Sequence, residues 1–249
     1  MRRVVSPRRV RDYAARYPAA RSSLDRWLKQ VLHADWKSPA DLKQSFNDVD
    51  PVTVASGCSV YIFNIEHNRH RLITAIHFNT QIVYVLRIMT HREHNRNRWK
   101  DESMSNANKT ETKLGLRPFT KMPTTFAGLC RLLPPRPIRD ETDYTNAMEV
   151  LDALVGHKLN QDQRDYLEVL TTLVRAYEDT HHAIDTSTVS SLDSLKFLLE
   201  QNGMNASELG TLLGNRSLGS KILRGERDLS KTHLRILANR FKVDAGLFL

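Results

Sequence analysis

The chain has 249 residues, with 37 Lys+Arg against 28 Asp+Glu, a formal net charge of +9 and 40% hydrophobic residues. This composition describes a soluble globular chain, long enough for two domains with a core each. No apolar run approaches the roughly 20 residues that a bilayer-spanning helix needs, so no membrane partner is expected. The amino terminus, MRRVVSPRRVRDY, carries charge but no apolar stretch of the secretory kind. Cys58 and Cys130 fall in different halves at no metal-ligand spacing, which fits two buried thiols in a reducing compartment. The cytoplasm is the expected address, and neither a metal site nor a cofactor is expected.

The charge is uneven. Residues 1–103 hold 18 basic and 10 acidic side chains, and residues 104–249 hold 19 and 18. Nearly all the excess therefore sits in the first two-fifths, as expected of a small domain facing a polyanion. After the apolar stub Val4-Val5, Ser6-Pro7 reads as a helix N-cap with proline at the first helical position, leading Val10, Tyr13, Ala14 and Tyr17 at helical spacing. A second helix, about residues 19–33, aligns Leu24, Trp27, Leu28, Val31 and Leu32, and Ser38-Pro39-Ala40-Asp41 opens another helical turn. From about residue 52 the period becomes two. Segments 59–65, 71–78 and 81–89 read as strands of an antiparallel meander, with turns near His67-Asn68 and at Asn79-Thr80. The expected fold of this region is α+β, helices packed on one face of an antiparallel sheet, the other face open for a polyanion.

Polar residues interrupt that sheet: Asn64, Arg71 and Arg87 lie within apolar strands, and His91, Arg92, Glu93 and His94 follow the last one. The strings Ala34 through Asp41, Phe63-Asn64, Asn68 through Leu72 and Thr90-His91-Arg92-Glu93 resemble the HigB toxins, RelE-like proteins that cut messenger RNA, typically on the ribosome. The resemblance covers residues 1–98 and implies an endoribonuclease, an mRNA interferase. One departure stands out. The family usually follows Thr-His-x-Glu with Tyr-Asp, whereas this chain has His94 and Asn95, so the tyrosine's role is lost or has passed to His94.

RNA cleavage of this kind needs a base for the ribose 2′-hydroxyl, cations for the phosphorane and an acid for the leaving oxygen. Arg71 is the candidate for phosphate stabilisation, since a guanidinium matches phosphate with two donors. His91 is the candidate acid or base, with a plain cap of the sheet end as the alternative. Glu93 and His94 complete the catalytic set, and Lys37, Asn64, Arg69, Arg87 and Arg92 are the RNA-binding candidates. Arg2, Arg8, Arg9, Arg96, Arg98 and Lys100 would steer the polyanion or be solvated surface.

Residues 99–113, WKDESMSNANKTETK, read as a linker, with Met104 where a separate polypeptide could have begun. Residues 114–138 carry five prolines and read as an irregular arm. From Asp140 the pattern is helical, and Asn160 with Gln163 forms a capping-box signature before a second helical stripe from Leu167 to Tyr177. Residues 140–200 hold 13 acidic and 4 basic side chains, which suits either a cover for a basic face or a solvated helix surface.

The last 60 residues give a helix at 190–201, an Asn205-capped helix at 206–213, the Gly214-Asn215 turn, a helix at 216–223 and a Ser230-capped helix at 231–241. That is helix-turn-helix grammar, with Gly219 at the point of close packing. Asn215, Arg216, Ser217, Ser220 and Lys221 are placed to reach base edges, and Arg224, Arg227 and Lys231 to reach phosphates.

Pro137 to Tyr144, Leu173 to Asp179 and Met204 to Phe241 resemble the HigA antitoxins, whose Cro-like domain represses the shared operon. The resemblance implies neutralisation of the toxin half by the antitoxin half, operator DNA as a partner, and a homodimer through the antitoxin region. The whole then reads as a toxin region at 1–98, a linker at 99–113 and an all-α antitoxin, made of an arm with a helical neutralising and dimerising region at 114–188 and a Cro-like helix-turn-helix DNA-binding domain at 189–249. The alternative is a non-enzymatic helix-turn-helix regulator whose amino-terminal domain binds RNA or protein without catalysis.

Overall fold

A computed structural model describes residues 3–96, 99 and 119–249. Strand β1 (Arg3–Val5) is followed by α1 (Pro7–Arg16), a 3₁₀ turn at Pro18–Ala20, α2 (Arg21–Leu32) and α3 (Pro39–Ser45). Strands β2 (Asp50–Thr53), β3 (Ser59–Ile65), β4 (His70–His77) and β5 (Ile82–Thr90) then lead into the single turn α4 (His91–His94). Ser38 caps α3 by accepting from the Asp41 amide, as the sequence implied. Ser6 does not cap α1. Its backbone is left-handed, with φ 67°, its side chain makes no cap bond, and its amide donates to Glu178 Oε1 at 2.9 Å. A contact 172 residues away has displaced the local motif.

The sheet order is β1-β5-β4-β3-β2. The expected meander of β3, β4 and β5 is present and antiparallel, extended by β2 at one edge and by β1, paired parallel to β5, at the other. Alternation divides the side chains. Val4, Tyr61, Phe63, Ile65, Leu72, Ile76, Val83 and Val85 pack against α1–α3 in one core. Val5, Val60, Ile62, Ile73, Ala75, Ile82, Tyr84 and Leu86 enter a second core on the opposite face. The expectation of an open second face is therefore wrong. Helices from the carboxy-terminal half cover it, because strands apolar on both sides need two covers.

Those helices are α5 (Phe126–Leu132), α6 (Glu141–Leu154) and α7 (Gln161–His181). The prolines do not keep the arm irregular throughout. Thr125 caps α5 by accepting from the Gly128 amide at 3.1 Å, and Leu129 is fully buried. The 99–113 linker, Trp99 apart, lies outside the described residues, as do Arg2, Arg98 and Lys100. Asn160 and Gln163 form the anticipated reciprocal cap of α7. From α6 and α7, Ala147, Met148, Leu151, Leu167, Leu170 and Val174 complete the second core.

A third core belongs to α8 (Ser191–Gln201), α9 (Ala206–Leu212), α10 (Leu218–Leu223) and α11 (Lys231–Phe241), closed by Leu247 and Phe248. Ser190, Asn205 and Ser230 cap α8, α9 and α11. Helix α10 begins at Leu218, two residues later than expected, because Asn215 Oδ1 accepts from the Ser217 amide at 3.0 Å and hydroxyl at 2.9 Å and holds a turn there.

Helices α9 and α10 meet backbone to backbone. A Cβ built on Gly219 would lie 1.9 Å from the Ala206 carbonyl oxygen and 2.7 Å from the Gly210 nitrogen. Neither is the tip of a flexible side chain, so Gly219→Ala should cost at least about 1–3 kcal/mol. Differential scanning calorimetry should show the loss as a lowered transition for the carboxy-terminal helices.

Candidate functional site

The polar interruptions of the sheet come together. Asn64 on β3 lies opposite Arg71 on β4, and Arg71 opposite Met89 on β5. Alternation puts Asn64 and Arg71 on the face that carries Ile62 and Ile73. A register shift between Ile73 and Thr74 leaves Arg87 opposite Ile73, so Arg87 joins this group beside Leu86.

Arg71 is 7% exposed, and its Nη1 donates to the Asn68 carbonyl at 2.9 Å and the His70 carbonyl at 3.2 Å. Burial lowers its pKa from the ordinary value, with Asp50 acting in the opposite sense. Asn64 Nδ2 donates to the Asp48 carbonyl at 3.4 Å. Residues Glu66, His67 and Asn68, which lead to this arginine, all have left-handed φ.

His91 begins α4 at the end of β5, half-buried, with its amide donating to the Arg69 carbonyl at 2.8 Å. Glu93 is engaged: its Oε2 accepts from the Thr90 amide and hydroxyl, each at 2.8 Å, in a reciprocal cap. His94 stacks on Trp99 with ring centroids 5.1 Å apart, and Trp99 Nε1 donates to the His94 carbonyl at 3.2 Å. The tryptophan is itself buried in the core over the sheet. Arg92 is exposed on α4, and exposed Arg69 pairs with Glu66 at 3.2 Å. Lys37 stands apart, exposed at the start of α3 in the helical layer.

A polar knot fastens the cover to this face. Arg9 on α1 donates through Nη1 to the Val85 carbonyl at 2.8 Å and to Asp152 Oδ1 at 3.0 Å, and through Nη2 to Asp152 Oδ2. Arg8 pairs with Glu141, and Tyr84 Oη lies 3.1 Å from Thr171 Oγ1. Arg9 is thus committed to pairing within the chain in place of the expected polyanion role, whereas the more exposed Arg8 can exchange Glu141 for another anion. Glu178, Tyr144 and Ser6 form the other half of the knot. Glu178 is 3% exposed and its Oε1 accepts from the Tyr144 hydroxyl at 2.7 Å as well as from the Ser6 amide. Sequence reasoning missed all of these except as an acidic excess, since the paired residues lie from 34 to 172 positions apart.

Burial raises the Glu178 pKa to about 7, although the bonds from Tyr144 and Ser6 and the charge of Arg9 pull it down. A carboxyl raised from its ordinary 4.5 stabilises the folded chain fully below that value and loses the contribution as pH rises through about 7. The loss is on the order of 3 kcal/mol. Glu178→Gln keeps an acceptor without the charge, so thermal melts of the intact chain should show the variant gaining on the parent between pH 5 and pH 8. Parallel curves over that range would contradict the assignment.

At the other end, Asn215, Arg216, Ser217, Lys221, Arg227 and Lys231 are exposed and Ser220 is half-buried. Arg224 is committed to its neighbour: Nε lies 2.6 Å from Glu226 Oε1 and Nη2 2.9 Å from Oε2. In that exposed setting the pair is worth little and can be exchanged for another anion. Among the described residues no group of three or more His, Cys, Asp or Glu is arranged to hold a metal, and no helix is long and apolar enough to cross a membrane.

Comparison with known proteins divides the chain at the same seam. The profile for the HigB toxin, the RelE-like toxic component of a toxin–antitoxin system, matches residues 20–97, and that for the HigA antitoxin amino-terminal domain matches residues 120–186. The mRNA interferase toxin HigB of Escherichia coli (strain K12) is 25% identical over 91 residues, covering 36% of this chain and 86% of that protein. Antitoxin HigA of the same strain is 28% identical over 118 residues, covering 45% of this chain and 83% of that protein, and antitoxin HigA of Shigella flexneri aligns equally well. The chain therefore joins a HigB-family toxin region to a HigA-family antitoxin region, as in a HigB–HigA fusion.

Proposed function

We propose that this chain is a self-restrained toxin–antitoxin module of the cytoplasm, in which an endoribonuclease of ribosome-associated messenger RNA is neutralised by the antitoxin region that follows it. One observation carries the reading: Asn64, Arg71 and Arg87 lie on the sheet face whose apolar residues, Ile62, Ile73 and Leu86 among them, share a core with α5, α6 and α7. An RNA strand and this cover compete for one surface. In the freed toxin region, Arg71 would neutralise the phosphorane, and His91 at the strand end would move the proton. Asn64, Arg69, Arg87 and Arg92 would hold the strand, with Lys37 a more distant contact. Glu93 then serves by ordering α4 around His91, and His94, stacked on Trp99, replaces the family tyrosine as a ring beside the site.

The second reading, a regulator without catalysis, draws on those two residues, because Glu93 is tied into a cap and His94 into a ring stack. Expression separates the readings. Residues 1–103 alone should arrest growth and cleave messenger RNA, the intact chain should do neither, and residues 104–249 supplied separately should restore growth. Arg71→Ala or His91→Ala in the fragment should each lower cleavage by about 10²–10³. A soluble fragment that the carboxy-terminal half binds but that cleaves nothing favours the regulator.

The exposed positions on the turn and on α10 support operator binding, in which a homodimer reads a palindrome with half-sites about one helical turn apart or a multiple of it. Asn215, Arg216, Ser217, Ser220 and Lys221 would face base edges, and Arg224, Arg227 and Lys231 phosphates. In titrations over several salt concentrations, Lys221→Ala should relax specificity at one position at a cost of about 1–3 kcal/mol. Arg227→Ala should weaken all sequences alike and flatten the salt dependence. Equal binding of random and operator duplexes by the parent and both variants would end this assignment.

A further inference from the structure

The antitoxin half touches the toxin region in a second place, on the helical back of the sheet. Phe197 of α8 is 2% exposed, yet it sits in the core of α1–α3 and not in that of its own helices. Its ring lies 6.1 Å from that of Phe46, and the Arg26 guanidinium lies 5.3 Å from its centroid. Beside it, Gln30 Nε2 donates to the Ser194 carbonyl at 3.0 Å, with both residues fully buried. Trp36 Nε1 donates to Ser45 Oγ at 2.7 Å, and that hydroxyl donates onward to the Phe241 carbonyl at the end of α11. Asn202 Nδ2 donates to the Ser45 carbonyl at 3.0 Å.

The chain end is then stitched to the toxin region by backbone. The Asp35 amide donates to the Lys242 carbonyl at 2.9 Å, the Asp244 amide to the His33 carbonyl at 2.6 Å, and Ala34 and Val243 form an antiparallel bridge. Lys242 holds a left-handed backbone, φ 51°, in the middle of this stitch. A buried aromatic ring, buried donors paired across the contact, and a left-handed residue held by its bonds mark a fixed joint. None of these contacts uses α9 or α10, and Lys231 begins α11 at the opposite end from Phe241, so the residues assigned to DNA lie away from the joint.

We propose that the helical back of the toxin region is a second docking face, independent of the covered sheet face, and that it sets the attitude of the carboxy-terminal domain so that duplex DNA binding is a property of the whole chain. The proposal rests on the DNA-reading assignment above. Two recognition helices meet half-sites at fixed spacing only if each domain is held at a fixed angle, and here the toxin region holds it.

The test uses the full chain with Phe197→Ala, Phe197→Leu and Gln30→Ala. The duplex is one enriched from a random pool on the parent chain, and amide exchange is read residue by residue. Phe197→Ala and Gln30→Ala should speed exchange of the Asp35 and Asp244 amides about tenfold or more, leave Leu213 in α9–α10 protected, and weaken the duplex about tenfold. Phe197→Leu should fall between parent and Ala. Unchanged exchange at Asp35 and Asp244 in all three variants overturns the dock. Faster exchange with undiminished affinity overturns the coupling. Should Phe197→Ala expose Leu213 as well, Gln30→Ala and Phe197→Leu decide by the same criteria. If the parent enriches no duplex, the DNA reading falls and takes the coupling with it, while the exchange measurements still decide the dock.

Discussion

The structure depends on burial of one five-stranded sheet from both sides. A sheet whose strands carry Val60 to Phe63 and Ile82 to Leu86 as near-continuous apolar runs gains from burial on both faces. The toxin region supplies one cover from its own helices, and the antitoxin region supplies the other. Each fully buried aliphatic side chain contributes about 1.5–3 kcal/mol relative to exposure. Ile62, Ile73, Tyr84 and Leu86 on the sheet and Leu151, Leu167 and Leu170 on the cover therefore outweigh any surface ion pair in holding the halves together. The hydrophobic term is not directional. Arg9 with Asp152 adds registration, since a buried charge that loses its partner is costly, and Glu178 with Ser6 and Tyr144 adds it through hydrogen bonds that a buried group cannot lose cheaply.

On the proposed reading this arrangement would link inhibition to folding. Asn64, Arg71 and Arg87 lie on the same face as the apolar residues that require cover, so an RNA strand bound there would have to displace that cover. Tethering adds to this by raising the local concentration of the cover to roughly millimolar for a short flexible linker. Contacts on the helical back of the toxin region give the antitoxin half a second hold, through Phe197 and the stitch around Val243, so the toxin region is gripped on two sides.

Much of the local structure was legible in the sequence because its causes are local. The caps at Ser38, Asn160, Asn205 and Ser230, the strands around Ile62, Ile73 and Val85, and the close approach at Gly219 follow from the nearest few residues. The long-range features were not. The parallel pairing of three-residue β1, the left-handed Ser6 and the partners of Arg8 and Arg9 depend on residues many positions away. The covered face could have been read from the apolar runs of β3 and β5, but the basic charge drew attention to a polyanion. For the proposed site, Asn64, Arg71, Arg87 and His91 stand out in the sequence as polar breaks in and after apolar strands, while the capping of Glu93 and the stacking of His94 needed coordinates.

If RNA and the antitoxin region compete for one sheet face, the competition is measured most directly on the chain cut within the 99–113 linker, with a short RNA methylated at every ribose 2′-oxygen so that it binds without being cleaved. On gel filtration, rising RNA concentration should displace residues 104–249 from the toxin region in proportion to the RNA bound, with no species containing all three. A stable ternary complex at saturating RNA would contradict the account, because it would place the RNA site away from the face that Arg71 occupies.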